Sequence, residues 1–211
     1  MGHVVLLGDS VFDNSAYVHG GPDVVAQLRE RLPNGWRASL RALDGSVVAG
    51  LAKQIARIPT DATHLVISAG GNDALGYSSI LGAPSRSMAE SLMQLADIRD
   101  EFQMRYRAAI MEVVQTGLST AVCTIYDPRY ADPTQRRLGA TALTILNDVI
   151  MREAVRLGLP LLDLRIICDE DADFANPIEP SSHGGWKIAG VIVSLLTKHD
   201  FARSISEVFT T

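Results

Sequence analysis

An α/β fold is predicted for this chain: a five-stranded parallel sheet between two layers of helices, in one domain over residues 1–211. Three observations predict it. Short apolar runs of strand length alternate with stretches whose apolar residues recur at helical spacing, the pattern of a parallel sheet covered on both faces. The first run, Val4-Val5-Leu6-Leu7, is apolar at every position, as a strand buried on both sides requires. The chain has 211 residues, 47% of them apolar and 20% charged, which suits one soluble domain with a sizeable core.

The elements follow in order. After the opening strand comes a loop with Gly20, Gly21 and Pro22. Pro22-Asp23 marks a helix start, Val24, Val25, Leu28 and Leu32 form its apolar face, and Pro33-Asn34-Gly35 stops it. Residues 36–43 read as a second strand whose loose alternation places it near an edge. Asp44-Gly45-Ser46 closes that strand. Ser46 is expected to cap a helix with Val47, Val48, Leu51, Ile55 and Ile58 on one face. His64-Leu65-Val66-Ile67-Ser68-Ala69 is a central third strand, ending in Gly70-Gly71-Asn72-Asp73.

Residues 74–97 are irregular, with a short helix over 88–96. Irregular stretches of this length in compact domains are often functional, so this one is expected to shape the substrate side of a site. A long helix over 98–115 ends at Gly117, and Thr120 to Ile125 forms the fourth strand. Leu143, Leu146, Ile150, Ala154 and Leu157 mark the next helix, stopped by Gly158. A short fifth strand lies within 159–164. The polar loop with Asp169, Glu170, Asp171 and Asp173 lacks the spacing of an EF-hand and reads as solvated. The last helix carries Ile188, Ile192 and Leu195, and residues 201–211 show no clear pattern.

Composition narrows the function classes. The net charge is −5 and the basic runs are no longer than pairs such as Arg136-Arg137, which argues against a nucleic-acid partner. No apolar stretch reaches membrane-spanning length. The first strand begins by His3 or Val4, which leaves no place for a signal peptide ahead of it, so a cytoplasmic protein is expected. Cys123 and Cys168 have no metal-ligand spacing, and Cys123 reads as a small core residue. Neither Gly-x-Gly-x-x-Gly nor Gly-x-x-x-x-Gly-Lys-Ser/Thr is present, and no cofactor is expected. Oligomeric state is not readable from these features.

In an open parallel sheet, ligands bind beyond the carboxyl ends of the strands. Ser10 follows the first strand in Gly8-Asp9-Ser10, at that edge. A serine ester hydrolase needs a nucleophile, a base, a group orienting the base, and donors for the oxyanion. Of the five histidines, His3 and His64 begin strands and lie at the opposite edge, and His199 follows the last helix. His183 stands in the loop after the fifth strand, on the functional edge, and is the base expected. His19 is the fallback. Gly45 and Asn72 stand after the second and third strands, where a close backbone approach and an uncharged N–H donor are useful. Each stretch alone also reads as an ordinary strand-ending turn.

Gly8-Asp9-Ser10, Gly45 and Gly70-Gly71-Asn72-Asp73, in that order on successive strand ends, resemble the first three sequence blocks of the SGNH (GDSL-type) esterases and lipases. The resemblance implies the same three-layer sandwich, with flavodoxin-like strand order 2-1-3-4-5. It implies a covalent acyl-enzyme on Ser10 and an oxyanion hole of three donors: the Ser10 N–H, the Gly45 N–H and the Asn72 side-chain amide. The substrate expected is a small-molecule acyl ester, small or short-chain because no long apolar lid is evident.

The fourth block departs from the family's Asp-x-x-His. Pro180 stands three residues before His183, and Glu179 one further back. Residues four apart become neighbours where the chain turns helically, so Glu179 is expected to orient His183 in a Ser10–His183–Glu179 triad. Asp169, Asp171 and Asp173 are the fallback acids, and a Ser10–His183 dyad supported by a backbone carbonyl is the alternative to a triad. Two rival readings stand beside this one. A metal-dependent (phospho)hydrolase would use Asp9, Asp44, Asp73, Asp127 and Asp163 near strand ends. A catalytically weak SGNH-like protein would only bind its ligand.

Overall fold

The computed structural model describes residues 1–211. Six parallel strands form one sheet: β1 (His3–Gly8), β2 (Arg37–Leu40), β3 (His64–Ser68), β4 (Ser119–Cys123), β5 (Leu161–Leu162) and the last strand, Val208–Phe209. Their order is β2-β1-β3-β4-β5 followed by Val208–Phe209. β1 is therefore flanked by β2 and β3, with Leu6 opposite Leu40 on one side and Val66 on the other. The fold class is the one expected, with one strand more.

Period-two alternation divides the core. Val4 and Leu6 of β1 face one layer, formed by α1 (Val24–Arg31) and the C-terminal helix Ser182–Lys198. Val5 and Leu7 face the other, formed by α2 (Leu51–Ile55), α4 (Met88–Val114) and α5 (Pro133–Leu157). α3 (Gly71–Gly76) continues directly from β3 through Gly70. A short α6 (Leu164–Ile167) follows β5. A two-stranded antiparallel hairpin, β6 (Phe174–Asn176) and β7 (Glu179–Pro180), leads into the last helix, α7, with the terminal strand as β8. No helix is long and apolar enough to cross a membrane. Cys123 and Cys168 are buried and unbonded.

The differences from the sequence reading have local causes. Residues 88–114 form one helix rather than two, because nothing between Ala96 and Ile98 breaks it and Ser87 caps its start by accepting from Glu90 N. α5 begins at Pro133, ten residues before its apolar stripe, because Asp132 accepts from the Thr134 and Gln135 N–H groups and proline suits the first helical turn. Ser46 does not cap α2. Its hydroxyl accepts instead from Gln54 Nε2 at 3.2 Å. β8 is only two residues long and the β6–β7 hairpin lies in a polar stretch, so neither carries an apolar period to read.

β1 ends at a backbone site that only glycine fits. Gly8 has φ +122°, and a Cβ there would lie 1.6 Å from the Ser68 carbonyl oxygen. Gln54 clamps the same residue, accepting from Gly8 N at 2.7 Å and donating to Gly8 O at 2.8 Å. Gly8→Ala is therefore expected to destabilise the protein by more than about 3 kcal/mol, since strain and backbone displacement combine in a core strand. Urea denaturation against wild type measures it, and a loss under about 1 kcal/mol would show that the β1–β3 contact relaxes freely.

Candidate active site

Immediately past Gly8 the chain turns over the sheet edge. Asp9 N donates to Ser68 O at 3.1 Å, and the Asp9 carboxylate accepts from Val11 N at 3.2 Å and Ser68 Oγ at 3.4 Å. These contacts fix the turn that presents Ser10. Burial pushes the Asp9 pKa up to about 7. The Val11 and Ser68 hydrogen bonds oppose the rise, and the charges of Glu179 and Asp73 add to it. Asp9 is a bracing residue under the turn, as its buried hydrogen bonds show.

The Gly45 and Asn72 loops come up on either side of this turn. Gly45 is exposed with φ +75°, and its N–H donates to no protein acceptor; the Ser10 N–H is likewise without one. Asn72 Nδ2 donates to Ser46 O at 3.0 Å, which ties the two loops together and leaves the amide's second N–H available. Asp73 accepts from Val48 N at 2.9 Å, a second tie between the same loops. The order of these groups along the sheet edge follows from strand order, since β1 lies between β2 and β3.

Ser10 and Asn72 open onto a cavity of about 450 Å³. Its walls are mostly apolar and come from α3 and the turn after it (Leu75, Ile80, Leu81), α4 (Leu95, Ile98) and α5 (Leu143). Residues of the 74–97 stretch thus line the cavity beside Ser10. No lysine, arginine or histidine lines it.

Glu179 lines the same cavity. Burial pushes its pKa up to about 7. The Ser10 hydroxyl is close enough to oppose that rise by favouring the charged form, and the Asp44 charge adds to it. Glu179 Oε2 is buried with no hydrogen-bond partner. The backbone that carries this carboxylate is tied down on all sides. Asn176 Oδ1 accepts from Ile178 N and Glu179 N, both at 3.0 Å. Tyr126 Oη donates to Ile178 O at 2.6 Å, and Asn14 Nδ2 donates to Pro180 O at 3.1 Å. Arg129 N donates to Pro177 O at 2.7 Å.

His183 is not brought to Ser10. Ser181 caps α7, accepting from the His183 and Gly184 N–H groups, so residue 183 stands on the first helical turn. The His183 side chain is 54% exposed and points outward, with Nε2 3.7 Å from Asp173 Oδ1 and 3.9 Å from Glu170 Oε2. The expected i to i+4 approach of Glu179 and His183 fails because Glu179 and Pro180 belong to β7, and the helical turn starts only after them. Glu170, Asp173 and His183 form the one group of three potential metal-ligating side chains, but Lys187 Nζ already stands 2.9 Å from Asp173 Oδ1 and 3.2 Å from Glu170 Oε2. The other histidines are engaged elsewhere: His3 with Asp61 and Ser39, His64 with Trp36 and Phe201, and His199 with Glu207. His19 is exposed in the loop before α1. The strand-end acids do not converge either, since Asp163 is held by Thr124 and Arg165, and Asp44 by Tyr17.

The model of the GDSL-like lipase/acylhydrolase family matches residues 6–185. The chain belongs to that family. This GDSL hydrolase is a carboxylic ester hydrolase by membership. Its fold is similar to that of an extracellular lipase from Streptomyces rimosus, with 16% identity, TM-score 0.66, and coverage of 95% of this chain and 100% of that one. It is also similar to the acetyl xylan esterase AlAXEase, with 16% identity, TM-score 0.67, and coverage of 92% and 99%. The aryl esterase of M. smegmatis, at 13% identity and TM-score 0.63, covers 93% and 98%. No curated protein sequence matches the chain.

Asn14, Asn176 and Tyr126 were not readable as site residues. Asn176 had a signal, since Asn-Pro marks a turn whose side chain bonds the backbone two residues on. Asn14 had none. The titration of Asp9 has a thermodynamic consequence. Its folded pKa of about 7 lies above the ordinary 3.8, so the folded state holds the proton longer and stability falls as pH rises through that window. Asp9→Asn keeps an acceptor oxygen and removes the charge. Its melting temperature is expected to decline less than that of wild type between about pH 4 and about pH 7, and parallel declines would show that Asp9 stays charged when folded.

Proposed function

We propose that this GDSL hydrolase cleaves neutral carboxylic acyl esters through a covalent acyl-enzyme on Ser10. The observation that carries the reading is the convergence of Ser10 and Asn72 at one wall of an apolar cavity, where the Ser10 N–H has no protein acceptor; the Gly45 N–H, on the neighbouring loop outside the cavity lining, also has none. Ser10 Oγ attacks the ester carbon. The carbonyl oxygen takes up negative charge and is met by the Ser10 and Gly45 N–H groups and by the free N–H of Asn72 Nδ2. The alcohol leaves, and water then hydrolyses the acyl-serine. Donors fixed in place before the charge develops stabilise the transition state more than the substrate.

The lining supports a neutral substrate. With Asp9 and Glu179 in the wall and no cationic side chain, a phosphate or carboxylate next to the reacting carbon would be repelled rather than held. The apolar walls support an acyl chain longer than the small or short-chain groups expected from sequence. Each methylene buried against them is worth about 0.8 kcal/mol, close to fourfold in kcat/KM.

Two outcomes follow. Asn72→Ala is expected to lower kcat by about 10² to 10³ with little change in KM, because the lost donor acts on the transition state. A rise in KM alone would place Asn72 in ground-state binding. Across p-nitrophenyl esters from acetyl to hexanoyl, kcat/KM is expected to rise by about threefold to fourfold per methylene. A profile that is flat or falls from acetyl onward would remove the acyl chain from this cavity.

A further inference from the structure

The geometry points to Glu179 as the base that takes the Ser10 proton directly, so that the site runs on a serine–glutamate pair with no imidazole. This rests on the reading of Ser10 as nucleophile and goes beyond it.

A serine hydroxyl needs a proton acceptor within reach as its oxygen bonds to carbon. All five histidines lie outside the cavity, and His183, the one nearest Glu179 in sequence, faces Asp173 and Glu170. Glu179 lines the cavity with its carboxylate beside the Ser10 hydroxyl, and one of its oxygens is buried without a hydrogen-bond partner. An unpartnered buried carboxylate oxygen is a costly feature that a purely structural glutamate would satisfy. Here the free oxygen is an open acceptor. The four ties on residues 177–180, from Asn176, Tyr126, Asn14 and Arg129, keep the carboxylate from swinging out to water.

The step balances. As Ser10 Oγ bonds to the ester carbon, its proton passes to a Glu179 oxygen and the carbonyl π pair moves to oxygen. Collapse breaks the carbon–alkoxide bond, and the leaving oxygen takes the proton from Glu179. In the second half, Glu179 takes a proton from water as its oxygen attacks the acyl carbon, then returns it to Ser10 Oγ as that bond breaks. The groups facing Glu179 are Ser10, Asp9, Asp44, Tyr17 and Tyr126, with no cation among them. Burial, with the Asp44 charge adding and the Ser10 hydrogen bond opposing, brings its pKa up to about 7, where a base is both unprotonated and strong enough to compete for the proton near neutrality. An ordinary surface glutamate would be too weak.

The experiment measures p-nitrophenyl ester hydrolysis and fluorophosphonate labelling for wild type, Ser10→Ala, Glu179→Gln and His183→Ala, with circular dichroism to check the fold. Glu179→Gln is expected to lose at least about 10²-fold in kcat and to label more slowly in the same proportion, while His183→Ala stays within about threefold of wild type. The acid limb of the wild-type kcat/KM profile should lie near pH 7 and barely move with temperature, as carboxyl ionisation does; an imidazole limb moves down on warming. Near-full activity in Glu179→Gln, loss of activity in His183→Ala, or a limb that shifts with temperature overturns the glutamate base while leaving Ser10 in place. Full activity in Ser10→Ala overturns the nucleophile itself. Should Glu179→Gln not fold, the temperature dependence of the wild-type limb decides.

Discussion

The Gly8 carbonyl and N–H, gripped by the Gln54 amide, set the position of everything at this end of the sheet. β1 approaches β3 so closely there that the Ser68 carbonyl oxygen fills the space a side chain would need. The positive φ of Gly8 then turns the chain at the sheet edge, where Asp9 and Ser10 both reach the cavity. Because β1 has β2 on one side and β3 on the other, the same turn is met by the Gly45 loop and the Asn72 loop. One glycine, one glutamine and two strand pairings thus determine where three separate loops converge.

The fourth loop is held by different means. β7 has only two residues, too few for a ladder to fix it. Side-chain amides do the work instead. Asn176 folds the hairpin on itself, and Asn14, four residues past Ser10, grips Pro180 while its oxygen accepts from Val24 N at the start of α1. Asn14 therefore couples the Ser10 turn, the first helix and the Glu179 strand in one buried residue. Truncating it would leave two buried backbone groups unpaired, so it joins positioning to stability.

Legibility in the sequence followed element length and period. β1, β3 and β4 are buried at nearly every position, and their existence and the layered architecture were readable from their apolar runs, whereas the strand order came from the resemblance to the SGNH blocks. Ser10 was readable from its place at a strand end, where chemistry collects in a parallel sheet, and Gly45 and Asn72 from the resemblance of their stretches to the SGNH blocks. The His183–Glu179 arrangement was not. Spacing of four is a neighbour relation only on a helix, and the helix boundary falls between the two residues, at Ser181. On a strand the same spacing carries the side chains apart along the chain, one to the cavity and one to the α7 surface. No local signal in Glu179-Pro180-Ser181-Ser182-His183 distinguishes these outcomes, because Ser181 is an acceptable N-cap and Ser182 an equally acceptable one.

A carboxylate and an imidazole make different demands on their surroundings. An imidazole starts neutral and becomes charged when it accepts a proton, so it gains from an anion behind it. A carboxylate starts charged and becomes neutral, so an anion nearby strengthens it as a base and a cation would weaken it. The wall of this cavity has that second character: Asp9 and Asp44 are the charges near Glu179, and no lysine or arginine reaches it. On the proposed serine–glutamate pair, the Asp9 and Glu179 carboxylates, whose pKa values burial raises to about 7, repel one another, and neutralising Glu179 by the Ser10 proton would relieve that repulsion as negative charge moves to the substrate oxygen. The charge would then leave the two carboxylates for the side of the cavity where Ser10 and Asn72 stand.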